Sequence, residues 1–267
     1  MKQKGKSDVG VALITGASGG LGLEFAKLFA EAGYNLILAA RSGDKLSQVC
    51  AELSARYGVE AASYAVDLSS PEALERFISD ISDIRIDYLV NNAGFGDTGY
   101  FHKKPWKVQQ EMINLNILAL SRLTHHCVQG MVQRGFGRIL NIASTAAFQP
   151  SPFFNVYAAT KSYVLSFTEA LQVELAGTGV TATVSCPGPT ETGFHTRAGS
   201  YKSRIMSMGL MSGEVVARKA YKAMMKGKTL VLHGFSNALL AFSIRLTPRS
   251  IAPKAAHYFM KHNDDAQ

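Results

Sequence analysis

Thr15-Gly16-Ala17-Ser18-Gly19-Gly20-Leu21-Gly22 follows directly on the apolar run Gly10–Ile14 and opens the amphipathic segment Leu21–Ala32. A short apolar run reads as a buried strand and the segment after it as a helix, so these glycines fall on a strand-to-helix turn. Glycine lets the backbone turn tightly there and pass close to a bound group. The helix start adds unpaired N–H groups and a partial positive charge. Together these suit a pyrophosphate, cradled by Gly16, Ser18, Gly20, Leu21 and Gly22. The spacing differs from the commoner G-x-G-x-x-G, because Ser18 stands where the second glycine would be. An ordinary glycine-rich turn is the plainer alternative, and the strand before it and helix after it argue against that.

Outward from this turn the chain alternates short β-rich runs with longer helical ones. Strands are predicted at Gly10–Ile14, Asn35–Ala39, Ala61–Val66, Tyr88–Val90, Arg138–Ile142, Thr181–Ser185 and Thr229–Leu232. Amphipathic segments between them are Leu21–Ala32, Asp44–Tyr57, Pro71–Ser82, Trp106–Gln133 and Asn155–Ala176. The alternation predicts an α/β fold: a Rossmann-type doubly wound parallel sheet of about seven strands, with helices on both faces. No repeat or low-complexity linker marks a second domain. One domain is expected over residues 9–236, after a flexible basic N-terminus at 1–8 and before an extension at 237–267. Residues 188–212 are rich in Gly, Ser, Thr and Met and lack clear periodicity. Beyond the carboxyl end of the sixth strand, such a stretch reads as a substrate lid.

The second strand ends in Ala39-Ala40-Arg41-Ser42. A site for NAD places an acidic residue here to accept from the ribose hydroxyls, whereas an arginine suits a 2′-phosphate. The acid is absent and Arg41 is present, so Arg41 and Ser42 point to NADP(H). The competing reading makes Arg41 a solvated loop residue and Ser42 a helix cap.

Composition sets the wider bounds. The chain has 267 residues, 47% hydrophobic and 18% charged, as befits a folded globular protein with a sizeable core. Cys50, Cys127 and Cys186 have neither metal-ligand spacing nor a disulfide pattern, which fits a reducing, cytoplasmic setting. No export signal is visible, and no apolar stretch reaches the ~20 residues of a membrane span. The net charge of +8 reads as a generally basic, solvated surface with basic residues dispersed among acidic ones. No nucleic-acid partner is expected. None of the seven histidines has a matching set of partners, so no metal is expected.

Tyr157-Ala158-Ala159-Thr160-Lys161 sets a phenol and an ammonium on one helix face, a weak signal by itself. The order of the other motifs gives it weight. Asp67 follows the third strand, Asn91-Asn92-Ala93-Gly94 the fourth, and Ser144 the fifth; Asn116 lies in the helical stretch between. Pro187-Gly188 closes the sixth strand, with Thr192 downstream. Over residues 8–233 this series resembles the short-chain dehydrogenase/reductase family in its single-domain form. The resemblance implies an NADP(H)-dependent oxidoreductase that interconverts a ketone or aldehyde and an alcohol. Tyr157 would be the general acid/base, Lys161 would lower its pKa and bind the nicotinamide ribose, and Ser144 would bind the substrate oxygen. Asn116 would hold a water leading to solvent; Asn114, two residues away, is the competing asparagine.

The same resemblance implies cofactor contacts from Asp67, Leu68, Asn92, Ala93, Gly94, Tyr157, Lys161, Pro187, Thr190 and Thr192, with a structural role for Asn91. Two departures stand out. Gly19 replaces a larger, often basic residue, which removes a second phosphate contact, and Ala147 stands where a glycine is frequent. A homo-oligomer, dimer or tetramer, is the family expectation. Proteins that keep the fold as cofactor sensors typically lose the tyrosine or lysine; both are here. Met206, Met208, Met211, Met224 and Met225 suit either an adaptable surface for a bulky apolar substrate or plain core filling. The tail, 237–262, is interrupted by Pro248 and Pro253. It is expected to pack on the domain or a partner subunit, with peripheral membrane contact as the less favoured alternative.

Overall fold

Alternate residues of the first strand, β1 (Val11–Thr15), serve two different cores: Ala12 and Ile14 enter one and Leu13 the other. A strand that is apolar on both sides needs a covering layer on each face. In this computed structural model, which describes residues 9–191 and 210–260, both layers are present. The further strands are β2 (Asn35–Ala40), β3 (Ala61–Ala65), β4 (Tyr88–Asn91), β5 (Gly137–Ile142), β6 (Val180–Cys186), the short β7 (Thr190–Glu191) and β8 (Met211–Ser212), and β9 (Leu230–Leu232). Seven of them form one parallel sheet in the order β3-β2-β1-β4-β5-β6-β9. The order reverses at β1, which lies between β2 and β4, and ligands of such sheets bind in the crevice at that point.

The helices are α1 (Gly20–Glu31), α2 (Gly43–Tyr57), α3 (Pro71–Asp80), α4 (Trp106–Ile113), α5 (Leu120–Gln133), α6 (Asn155–Glu174), α7 (Gly213–Met225), α8 (Phe235–Leu246) and α9 (Ala252–Met260). Buried residues of α1, α2 and α7 fill one core, and those of α3 and α5 the other. Phe25, Ala26, Phe29 and Ala30 form the buried stripe of α1. No side chain caps the start of α1, at Gly19. The missing cap forgoes about 1 kcal/mol, whereas burying two phenylalanines contributes roughly 4 kcal/mol. Packing therefore holds α1 in place while its first N–H groups stay unclaimed by any side chain.

Two departures from the sequence expectations concern elements. The segment 106–133 is helical throughout, as expected, but a π-helical turn, Asn114–Ala119, lies within it between α4 and α5. Helix α7 is absent from the expected elements; its buried face consists of Val216, Ala217, Ala220, Ala223 and Met224, mostly too small to give a strong apolar signal. The tail is interrupted as expected, between α8 and α9, with Pro248 in the break and Pro253 in the first turn of α9, where a missing N–H costs nothing. The two ends of the expected lid pair through β7 and β8, with Met211 N donating to Pro189 O at 2.9 Å. The rest of that lid, including Thr192, and the first eight residues lie outside the described residues.

Candidate active site

In a parallel sheet every strand ends at the same edge, and here that edge gathers the residues singled out above. Gly16 follows β1, Arg41 follows β2, Asp67 lies just beyond β3, Asn92 follows β4, Ser144 lies just beyond β5 and Pro187 follows β6. The turn after β1 is tied to the one after β4. Thr15 Oγ1 accepts from the N–H groups of Asn92 and Ala93 at 3.0 Å each. Asn92 Nδ2 donates to Thr15 O at 2.9 Å. Gly16 has φ +69°, and a Cβ there would stand 2.8 Å from Asn92 Nδ2 and 3.0 Å from Ala93 Cα. A Cβ on Gly22 would collide with the Gly16 carbonyl. Only glycine fits at either place, which lets the turn after β1 pack closely against the turn after β4 and the start of α1. Ser18 is half-buried in this turn, Gly20 (φ +54°) is exposed, and Leu21 and Ala93 are half-buried.

At the end of β2, Arg41 and Ser42 are exposed, and no side chain caps α2 at Ser42. The structure adds a cation that the sequence does not reveal. Lys45 Nζ lies 3.7 Å from where a Cβ on Gly19 would be. The space left by Gly19 thus faces an ammonium supplied by α2, so a second basic group does stand at the cradle. Cradle and uncapped helix start fit a dinucleotide's phosphates, with Arg41 and Lys45 as nearby cations. Asp67 is exposed at the end of β3, and its Oδ1 accepts from Ser69 N at 3.0 Å and Ser69 Oγ at 2.7 Å. The Leu68 side chain beside it is buried in the second core.

The candidate catalytic groups converge on the same edge from β5, α6 and the π turn. Tyr157 and Lys161 are buried on one face of α6, and Lys161 Nζ donates to Ile142 O at 2.7 Å. Burial raises the Tyr157 phenol above its ordinary range, while the Ser144 side chain, hydrogen-bonded to it, pulls it down. Burial lowers Lys161 to about 8. Ser144 Oγ accepts from Ala146 N at 3.1 Å, which occupies a lone pair and leaves its hydrogen to be donated. Phe154 stacks on Tyr157 at 4.2 Å between ring centroids, and a Cβ on Gly96 would meet both rings.

Asn116 belongs to this cluster and Asn114 does not. Asn116 Oδ1 accepts from Phe95 N at 3.2 Å, and its Nδ2 donates to Phe95 O and Thr160 Oγ1 at 3.0 Å each. A Cβ on Gly94 would stand 3.0 Å from Asn116 Oδ1 and 3.4 Å from Lys161 Nζ, so Gly94 lies between the two. Asn114 Nδ2 instead donates to Ser69 O at 3.0 Å, beside the loop after β3. Thr160, not marked by the sequence reading, links the parts: its Oγ1 also donates to Tyr157 O at 2.7 Å.

Asn91 sits below the site in a buried polar chain. Its Nδ2 donates to Thr124 Oγ1 and Asn141 Oδ1, and Asn141 Nδ2 donates to Thr168 Oγ1, all at 2.9 Å. These bonds join β4 and β5 to α5 and α6. Pro187 is buried and its carbonyl accepts from Thr145 N at 2.9 Å, beside Ser144. Thr190 is buried, with Oγ1 donating to Gly188 O at 2.9 Å. Ala147 is accommodated in the core, and its carbonyl accepts from Ser162 Oγ at 2.7 Å. Among the described residues, no group of three or more His, Cys, Asp or Glu could hold a metal ion.

The chain is similar to known proteins in sequence and fold. A family model described as short chain dehydrogenase matches residues 10–202. The chain is 36% identical over 222 residues to the ketoacyl reductase HetN of Nostoc sp., covering 81% of this chain and 75% of that protein. It is 36% identical over 173 residues to the very-long-chain 3-oxoacyl-CoA reductase of Homo sapiens, covering 63% of this chain and 55% of that protein. The chain thus spans about half the length of the very-long-chain relatives it matches. Among solved structures, a short-chain dehydrogenase from Sphingobium yanoikuyae in complex with NADPH aligns with a TM-score of 0.81 and 30% identity, covering 89% of this chain and 94% of that one.

Proposed function

This chain belongs to the short-chain dehydrogenase/reductase family, and from that premise we propose that it is an NADP(H)-dependent reductase of ketones, with Tyr157 as the proton donor. The observation that carries the reading is the meeting of Ser144, Tyr157, Lys161 and Asn116 at the sheet edge that also bears the glycine cradle. Bound NADPH would supply a hydride to the carbonyl carbon, and the chain handles the proton. Ser144 donates a hydrogen bond to the substrate oxygen and stabilises its growing negative charge. Tyr157, kept protonated by burial, gives that oxygen its proton. Lys161 holds positive charge beside the resulting phenolate and favours it. Asn116 is a positioning residue that fixes the turn facing Lys161 across Gly94.

Arg41, Ser42 and Lys45 would hold a 2′-phosphate, and the two cations with no carboxylate at the end of β2 support NADP(H) over NAD(H). The names of the two relatives support a 3-oxoacyl thioester as the first substrate to try. The test follows NADPH and NADH consumption at the nicotinamide absorbance across 3-oxoacyl thioesters and bulky ketones. Turnover is expected with NADPH. In Tyr157→Phe it should fall by roughly 10²- to 10⁴-fold while NADPH binding persists. Undiminished turnover in that variant would remove Tyr157 from the mechanism.

A further inference from the structure

The C-terminal helices leave apolar surface uncovered close to the catalytic groups. In α8 Ala241 is the buried residue, whereas Phe235, Leu239, Phe242 and Leu246 are 85%, 58%, 59% and 75% exposed. Isolated apolar residues are ordinary on a surface; these four, spaced along one face of a helix that also exposes Leu240, mark a surface that meets something. The helix lies beside the site, for Asn237 Nδ2 stands 2.6 Å from where a Cβ on Gly188 would be. Helix α9 follows and sets the His257 ring 4.9 Å from that of Phe153, the neighbour of Phe154. A second segment reaches the same corner. Tyr100 packs edge-on against Phe153 at 5.0 Å. Tyr100, Phe101 and Trp106 are themselves exposed, with Lys103 and Lys107 exposed among them.

Charge selects the partner. Between Glu214 and Asp264 the sequence holds nine Lys and Arg and no acidic residue, so the whole excess of 28 basic over 20 acidic residues lies in this stretch. Five of the nine lie between residues 218 and 228, in and just after α7, and the tail itself carries Arg245, Arg249, Lys254 and Lys261 with no carboxylate before Asp264. Arg245 in α8, Arg249 in the connection and Lys254 in α9 are exposed. A second copy docking through the same face would bring more cations and no carboxylate from residues 215–263 to pair with them. An anionic headgroup layer instead accepts cations and apolar side chains together. Among the described residues no helix is long and apolar enough to cross a membrane, so the helices would lie on a bilayer and not span it.

We propose that α8 and α9 dock the protein on an anionic lipid bilayer, which goes beyond the reaction and stands apart from it. Phe235, Leu239, Phe242 and Leu246 enter the boundary between headgroups and acyl chains, while Arg245, Arg249 and Lys254 meet headgroup phosphates. The full chain is tested by sedimentation with vesicles of phosphatidylcholine, alone or with a third of phosphatidylglycerol, at physiological salt. The protein should pellet with the mixed vesicles. Replacing both arginines (Arg245→Gln with Arg249→Gln) should weaken that binding by roughly 20- to 30-fold, at about 1 kcal/mol per cation. The combination Phe235→Ser, Leu239→Ser and Phe242→Ser should abolish it, while near-ultraviolet circular dichroism stays unchanged. Light scattering on the same samples asks whether a second copy covers the face. No pelleting, equal pelleting with neutral vesicles, or a solution dimer that only the serine variant dissociates would each overturn the proposal.

Discussion

Burial acts on Tyr157 and Lys161 so that each moves toward its neutral form: the phenol holds its proton more tightly and the ammonium loses one at about 8. A phenol held protonated is the form that a carbonyl reduction consumes, and a lysine that titrates near neutrality is coupled closely to the charge beside it. The same scale decides cofactor choice. Arg41 is exposed, and by itself an exposed cation contributes little. Lys45, aimed at the space over Gly19, gives a phosphate a second charge-assisted partner. Arg41→Ala and Lys45→Ala should each raise the dissociation constant for NADPH by about tenfold, 1.4 kcal/mol, with little effect on NADH. Fluorescence titration with both nucleotides checks this. Equal losses for NADPH and NADH in Lys45→Ala would place the lysine elsewhere than at the 2′-phosphate.

At the scale of elements, the π turn between α4 and α5 brings Asn116 to the cluster, and Thr160 on α6 locks it there. Thr160→Val keeps the shape but leaves Nδ2 of the buried Asn116 one partner short, a cost of roughly 1–3 kcal/mol. The expected results are a lower Tm and an altered pH profile of kcat, both restored by Thr160→Ser. A profile identical to wild type beside a lowered Tm would make the threonine purely structural.

The π turn also shows where sequence reading stops. One extra residue in a helix barely alters its apolar period, so Trp106–Gln133 reads as a regular α-helix although it holds a π turn. Gly16, Ser144 and Pro187 were legible because a parallel sheet sends every strand end to one edge, whatever the loops do. Lys45 was not, since its approach to Gly19 depends on how α1 and α2 lie against each other. Periodicity likewise gives α8 an apolar face but cannot tell whether the fold covers it.

Of the buried ionisable groups that the reaction does not use, Asp87 and Cys127 among them, His233 bears on the whole molecule. His233, directly after β9, is fully buried, and its Nε2 shares a 2.8 Å hydrogen bond with Ser185 Oγ on β6. Its backbone carbonyl also accepts from Asn237 Nδ2 at 2.6 Å, so it ties the last strand of the sheet to α8. Burial, reinforced by Lys219, lowers this imidazole to about 4. In the unfolded chain a histidine takes up its proton near 6.5. Between those values the unfolded state binds more protons than the folded one. The contribution of a neutral His233 is therefore complete above about pH 6.5 and is lost as pH falls toward about 4. At pH 4.5 the loss amounts to roughly 2 to 3 kcal/mol. Carboxylates elsewhere also titrate there, but a comparison with His233→Gln, which keeps a polar partner for Ser185, cancels them. Urea unfolding at pH 7 and pH 4.5 should show wild type losing that much more stability than the variant. Parallel losses in the two proteins would mean that His233 is already protonated in the native state.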